Sequence, residues 1–294
     1  MTNMNRRTFL TALAAASLAA RQTAGASIRR VGLQLYTVRV ALEKDFDGTL
    51  AKIAAIGYKE VEFAGYFGRT PQQVRDALKA NGLTSPAAHV DYPIVSDPAK
   101  WAQTLDAAAT MGQTFLVNPW TDESVRSQSG FWQRAADVYN AAGASAKKQG
   151  IQFCYHNHNF EFSPRADLGG KLPFDYLLET CDPSLVKIEL DLCWIAATGK
   201  DPLDYFRRQP GRFPLVHVKG LRRVPAPTGD TPVPIATVLQ ELTDVGHEDV
   251  IDWKRIFARA KAAGIEHYFV EHDNPQDAFA SLKASYDYLS RLSF

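Results

Sequence analysis

Four apolar runs in the second half of the chain close on side chains able to hold a divalent cation. They read QFCYHNHNFEF, with His156, His158 and Glu161; VKIELDLCW, with Asp191; FPLVHVKG, with His217; and HYFVEHD, with Glu271. A strand that is apolar along its length and polar at its last position or two builds an active site at one rim of a parallel barrel. Carboxylates and imidazoles together make a mixed oxygen and nitrogen set suited to one divalent ion, Mn²⁺, Zn²⁺, Co²⁺ or Mg²⁺. The repeated placement carries the signal, since any one of these residues alone would mean little. Such an ion, held by two adjacent oxygens of a sugar, acidifies the C–H between them and stabilises an enediolate.

Each candidate also has a plain structural role. Asp191 at a strand-to-helix junction can cap the helix, His217 can be a hydrogen-bonded core histidine, and Glu271 can pair with Lys219 as a buried ion pair. For His156-x-His158, strand alternation puts both rings on one face. One then serves as ligand or proton donor and the other supports it.

The elements that must position these groups alternate eight times. Apolar, β-rich runs lie at 31–38, 59–64, 84–90, 114–120, 152–158, 186–192, 213–219 and 267–272. Between them fall segments of helical period, such as Leu50-Ile53-Ala54 and Trp101-Leu105-Ala108, several ending on glycine (Gly57, Gly82, Gly112, Gly150, Gly264). Eight βα units predict an α/β fold, a single-domain (β/α)8 TIM barrel, because every parallel crossover needs a helix outside the sheet. The runner-up, a doubly wound open sheet, would lack its usual signature, as no strand is followed by GxGxxG or a P-loop. Residues 222–251 break the repeat with Pro225, Pro227, Pro232 and Pro234, and leave from the rim of the expected site. A segment that long in a compact domain reads as a lid.

Composition narrows the function classes. Of 294 residues, 46% are hydrophobic and 22% charged, which fits a large core, and the length suits an α/β barrel of about 250 residues. With Arg6, Arg7 and Arg21 set aside, the remaining chain carries 30 basic and 32 acidic residues. That near-neutral body offers no electrostatic footprint for nucleic acid. Asn5-Arg6-Arg7-Thr8-Phe9-Leu10, the apolar residues 11–20 and Ala24-Gly25-Ala26 read as a twin-arginine signal with a small-x-small cleavage site. The apolar stretch is shorter than the about 20 residues that span a bilayer, so no stable membrane anchor is expected. The expectation is a signal over 1–26, export by the twin-arginine machinery, and a domain over 27–294 working in the periplasm or outside the cell. Cys154, Cys181 and Cys193 are odd in number and lack CxxC spacing, and read as buried thiols. An oligomer stays open.

The phrases YHNHNFEF, ELDLCW, HVKG, VIDWKRIF and YFVEHD resemble the xylose isomerase-like TIM barrel superfamily, in its sugar phosphate isomerase/epimerase branch. The resemblance spans about 29–292 and is specific in the C-terminal half. It implies one divalent ion held by residues from strands five to eight, hence Asp191, His217 and Glu271 by position. On strand five many relatives carry a Glu where this chain has His156-Asn157-His158. Glu161, the nearest carboxylate, is taken as the fourth ligand, with His156 or His158 as rival. The zinc-dependent DNA repair members of the superfamily need further histidines, and Trp194 stands where such a cluster needs one.

A carboxylate at the ion's edge removes a proton beside a carbonyl and a second group returns it. Glu161, Glu271, His156 and His158 are the candidates, with His89, Glu62, Lys219 and Trp194 as substrate contacts. The expected activity is that of a metal-dependent sugar isomerase or epimerase on a small-molecule sugar. A lyase or dehydratase eliminating from a keto-sugar or keto-glycoside is the alternative on the same site. A non-catalytic secreted carbohydrate-binding protein is the alternative from another class.

Overall fold

Each of the eight apolar runs becomes one strand of a closed parallel barrel in the computed structural model, which describes residues 25–226 and 232–294. The strands are β1 (Gly32–Gln34), β2 (Glu60–Phe63), β3 (Thr84–His89), β4 (Phe115–Asn118), β5 (Gln152–His156), β6 (Val186–Asp191), β7 (Leu215–Val218) and β8 (His267–Val270). Neighbours pair in chain order, and β8 closes the ring on β1 through Gly32↔Phe269 and Leu33↔Val270. Helices fill the crossovers. Residues 1–24 of the expected export signal lie outside the described residues, and among those described no helix is long and apolar enough to cross a membrane.

Alternation along each strand sorts the side chains into two cores. Ala87, Phe115, Val117, Cys154, Leu215 and Phe269 point to the axis and pack as an inner cluster. Residues of the opposite parity, such as Val61, Ala88, Leu116, Phe153 and Val216, join the larger core between barrel and helices. Gly32 leaves room for an inner ring: a Cβ there would fall 2.6 Å from Cδ1 of Phe269. Gly112 ends the helix Pro98–Met111 in the left-handed conformation, φ 75°, and donates its N–H to Ala108 and Ala109 carbonyls.

The barrel interior is not apolar throughout. Above the inner cluster, Gln34, Glu62, His156, Glu189 and His217 form a buried polar layer toward the C-terminal ends of the strands, with the partly buried His89 beside them. Register sets it: Gln34 lies beside Glu62, His156 beside Glu189, and Asp191 beside His217. All three cysteines are buried free thiols, as the sequence implied.

The expected excursion over 222–251 contains a helix Ile235–Leu239 and the strand Leu242–Thr243, which pairs antiparallel with Gly220–Leu221 just before it. Ile235 and Leu239 line the cavity at the barrel mouth. The Asn159 side-chain amide donates to the Val233 carbonyl, tying the segment to the turn after β5.

Candidate active site and metal centre

Asp191 combines the two roles that its position allowed. Its Oδ1 caps the helix Leu192–Ala197, accepting from the Cys193 and Trp194 N–H groups at 2.9 and 2.8 Å. Those two bonds pin the carboxylate, and its Oδ2 is left buried with no hydrogen-bond partner. Asn157 braces the same strand end, its Oδ1 accepting from the Asp191 N–H at 3.0 Å. Burial raises the Asp191 carboxyl to about 6 despite the opposing pull of Lys219 and His217.

His217 works on both sides of its ring. Nε2 lies 2.7 Å from Glu62 Oε2 and 3.2 Å from Glu189 Oε2, while Nδ1 lies 2.9 Å from Glu271 Oε2 and 3.9 Å from Asp191 Oδ2. An Nε2–H donated to the carboxylates below is the usual way an outer carboxylate fixes a ligating imidazole, and a cation at the rim would have to displace the Nδ1 proton to take that nitrogen as a ligand. Glu189 Oε2 also meets His89 Nε2 at 2.9 Å and His156 Nδ1 at 3.0 Å. Burial lowers the His217 pKa, but Glu189, Glu271 and Glu62 outweigh it and hold the ring well above its usual value. Burial likewise opposes charge on His89, yet Glu62 and Glu189 bring it to about 9.

Lys219, two residues along, brings an ammonium to the rim. Nζ stands 2.7 Å from Glu271 Oε2 and 3.2 Å from Asp191 Oδ2 and Asp273 Oδ2. Burial works against the charge, but the three carboxylates hold the amine protonated, well above its usual pKa. Burial would raise Glu271; Lys219 and His217 instead keep it well below the usual carboxylate range. The Lys219–Glu271 pair, the plain structural alternative for Glu271, therefore forms, and both residues line the cavity at the barrel mouth.

The strand-five assignment needs correction. Glu161 does not reach the rim. It sits in the short turn Phe160–Phe162, where Oε1 accepts from the Tyr155 hydroxyl at 2.5 Å and Oε2 from the His158 N–H at 2.9 Å. Tyr155 faces outward and packs on Tyr139 and Trp132, so the chain has turned away from the axis before residue 161. Glu161 holds the backbone of His158, and burial raises its carboxyl to about 7. From strand five, the rival histidine His156 places Nε2 3.9 Å from Asp191 Oδ2.

His158 follows as a ring clamped between aromatics. It stacks on Phe160 at 5.5 Å, meets Trp120 at 4.9 Å and Trp194 at 5.2 Å, and its Nδ1 is buried without a partner. Burial, then the nearby His156 and Lys219, lowers its pKa well below the usual value, so the ring is neutral. His156 is lowered to about 3, chiefly by burial.

A cavity of about 860 Å³ opens above these groups, with His89, His156, His158, Trp194, Lys219 and Glu271 in its walls. Three of the four expected substrate contacts thus face it. Glu62 does not: it is fully buried one layer down, its Oε2 shared by Gln34, His89 and His217. Sequence reading missed Gln34, Glu189 and Asp273. Glu189 had a signal, since it lies two residues before Asp191 and shares its face.

The residues present fit a divalent ion. Asp191, His217 and Glu271 place two oxygens and one nitrogen within 4.8 Å of one another, and the unpartnered Asp191 Oδ2 asks for a cation. Lys219 stands beside it without hydrogen-bond geometry. That donor set suits Mg²⁺, Mn²⁺, Co²⁺ or Zn²⁺ and does not choose among them. His89, His156, Glu189 and His217 form a second close group, the hydrogen-bonded layer beneath.

Comparison with known proteins agrees with the barrel fold. The family model described as xylose isomerase-like TIM barrel matches residues 50–292. The chain is 23% identical over 261 residues to an inosose dehydratase from Geobacillus thermodenitrificans, covering 81% of this chain and 85% of that protein. It superposes on a sugar phosphate isomerase/epimerase from Parabacteroides distasonis with a TM-score of 0.73 at 26% identity, covering 90% and 98% of the two chains. A xylose isomerase-like TIM barrel protein from Mycobacterium smegmatis, solved in complex with magnesium, shares the fold with a TM-score of 0.60 at 13% identity, covering 92% and 96%.

Proposed function

Because the chain belongs to the xylose isomerase-like TIM barrel family, we propose that it is a metal-dependent isomerase or epimerase acting on an unphosphorylated sugar. The observation that carries this reading is the buried, unpartnered Asp191 Oδ2 beside His217 Nδ1 and Glu271 Oε2 at the barrel rim. Asp191, His217 and Glu271, with His156 from β5, would hold the ion. When bound, it would polarise a substrate carbonyl and stabilise the enediolate that proton loss produces.

The protein's own groups divide the remaining work. His158 lines the cavity with an unpartnered Nδ1, which places it to exchange a proton with substrate carbon, and its aromatic clamp fixes the ring plane. Glu161 holds its backbone in place. The Lys219 ammonium can donate to a substrate oxygen, and Asp273 and Glu271 keep it charged. Trp194 and Trp120 offer ring faces to a sugar.

Lys219 also favours a second reading. A buried ammonium at the rim can protonate a departing hydroxyl or alkoxide, which turns the same proton abstraction into elimination. Likeness to an inosose dehydratase points the same way. Export by the twin-arginine machinery to the periplasm belongs to the proposal and rests on Arg6-Arg7 and the apolar residues after them.

Incubation of the purified protein with keto- and aldo-sugars in D₂O with Mn²⁺, followed by NMR, tests the reading. Deuterium at the carbon beside the carbonyl supports isomerisation or epimerisation, and loss of a β-substituent supports the elimination. No exchange across the panel would refute both and leave a carbohydrate-binding protein. His158→Ala should abolish exchange while retaining bound metal.

A further inference from the structure

The cavity at the barrel mouth is larger than one sugar ring needs. At about 860 Å³ it falls in the range of about 300–1,000 Å³ that holds a drug-sized ligand, and a single pyranose fills only part of it. Its chemistry is divided between two ends. His158, Lys219 and Glu271 gather at the metal end, while the other end passes behind β3, between Ala88, Leu116 and Ala107.

The sequence explains why space remains there. Strand β3 reads TSPAAH, so its outward side chain near the rim, Ala88, is a methyl group. The opposing helix Pro98–Met111 turns Thr104 and Ala107 to the same space, three residues apart on one face. Small residues on both sides leave room at the edge of the layer between strand and helix, whose inner side is closed by the buried Ala88 and Leu116; protein interiors are otherwise close-packed. Tyr66 and Ile94 complete the walls.

This end carries no cradle for an anion. Among the described residues, Lys100 is its one lining cation; its side chain is 61% exposed and lies 3.5 Å from Asp97. The Tyr66 hydroxyl is spent on Gln113 Oε1 at 2.9 Å. A neutral, apolar group fits these walls better than a phosphate.

We propose that this arm binds a ring-sized apolar substituent carried by the sugar, the aglycone of a glycoside. The inference rests on the reading that a sugar occupies the metal end. Calorimetric titration of the Mn²⁺-loaded protein with phenyl glucoside, methyl glucoside, phenol and glucose 1-phosphate tests it. The parent protein should bind phenyl glucoside about tenfold or more tighter than methyl glucoside, as burial of a phenyl ring implies. Ala107→Trp, which fills the arm, should erase that preference and leave methyl glucoside binding unchanged. Thr104→Phe fills the arm from the adjacent turn and repeats the test should Ala107→Trp fail to fold. Equal binding of the two glucosides, a preference that survives both variants, or tighter binding of glucose 1-phosphate than of phenyl glucoside would overturn the proposal. Phenol binding as tightly as phenyl glucoside, and lost in Ala107→Trp, would support the arm while counting against the sugar reading of the metal end.

Discussion

Asp191 makes two separable contributions, and two substitutions tell them apart. One carboxylate oxygen caps the helix Leu192–Ala197 through bonds of 2.9 and 2.8 Å, and the other is free for a cation. Asp191→Ala removes both functions, whereas Asp191→Asn keeps a capping oxygen and removes the charge. Loss of a capping side chain costs about 1 kcal/mol, and in a barrel of this size about 1 kcal/mol lowers Tm by roughly 2–4 °C. Without metal, Asp191→Ala should melt about that much below the parent, and Asp191→Asn should melt above Asp191→Ala. Both should lose divalent ion by more than the about 10–100-fold that removing an outer partner costs, because a direct ligand is gone. Differential scanning calorimetry of the metal-free proteins and titration with Mn²⁺ give the two readouts. Parent-like Mn²⁺ affinity in Asp191→Asn would refute the ligand role, and equal melting of the two variants would refute the capping role.

Four further outcomes are expected. Glu161→Gln should keep its metal, measured by elemental analysis, because Glu161 is bonded to Tyr155 and His158 rather than facing the rim. Its carboxyl is raised from 4.5 to about 7, so its contribution to stability is fully present below pH 4.5 and is lost as pH rises through 7. That is about 3 kcal/mol, and urea unfolding across this window should show a fall smaller by about that amount in Glu161→Gln than in the parent. Glu62→Gln should weaken metal binding about 10–100-fold in a titration, since Glu62 meets His217 Nε2 at 2.7 Å. Arg6→Lys combined with Arg7→Lys should hold the precursor in the cytoplasm on fractionation; processed protein in the periplasm would remove the twin-arginine proposal.

The sequence by itself determined the barrel and the rim at which three of the metal-binding candidates meet. These follow from local physics. Alternation fixes which strand residues turn inward, so Asp191, His217 and Glu271 at strand ends had to meet once eight βα units closed. The capping role of Asp191 was legible for the same reason, as it needs only the next turn of chain.

Tertiary structure decided what alternation does not reach. Glu161 lies past the end of β5, and its direction depends on the path of the turn Phe160–Phe162, which carries it to the outward-facing Tyr155. Glu62 and Glu189 became partners of His217 and His89 only through barrel closure, since residues far apart in sequence meet there across the axis. Lys219 joined three carboxylates from β6 and β8 by the same closure. The proposed apolar arm depends on Ala88 of β3 and Ala107 of the helix Pro98–Met111 lining one cavity, a placement set by how that helix packs on the barrel rather than by either segment alone.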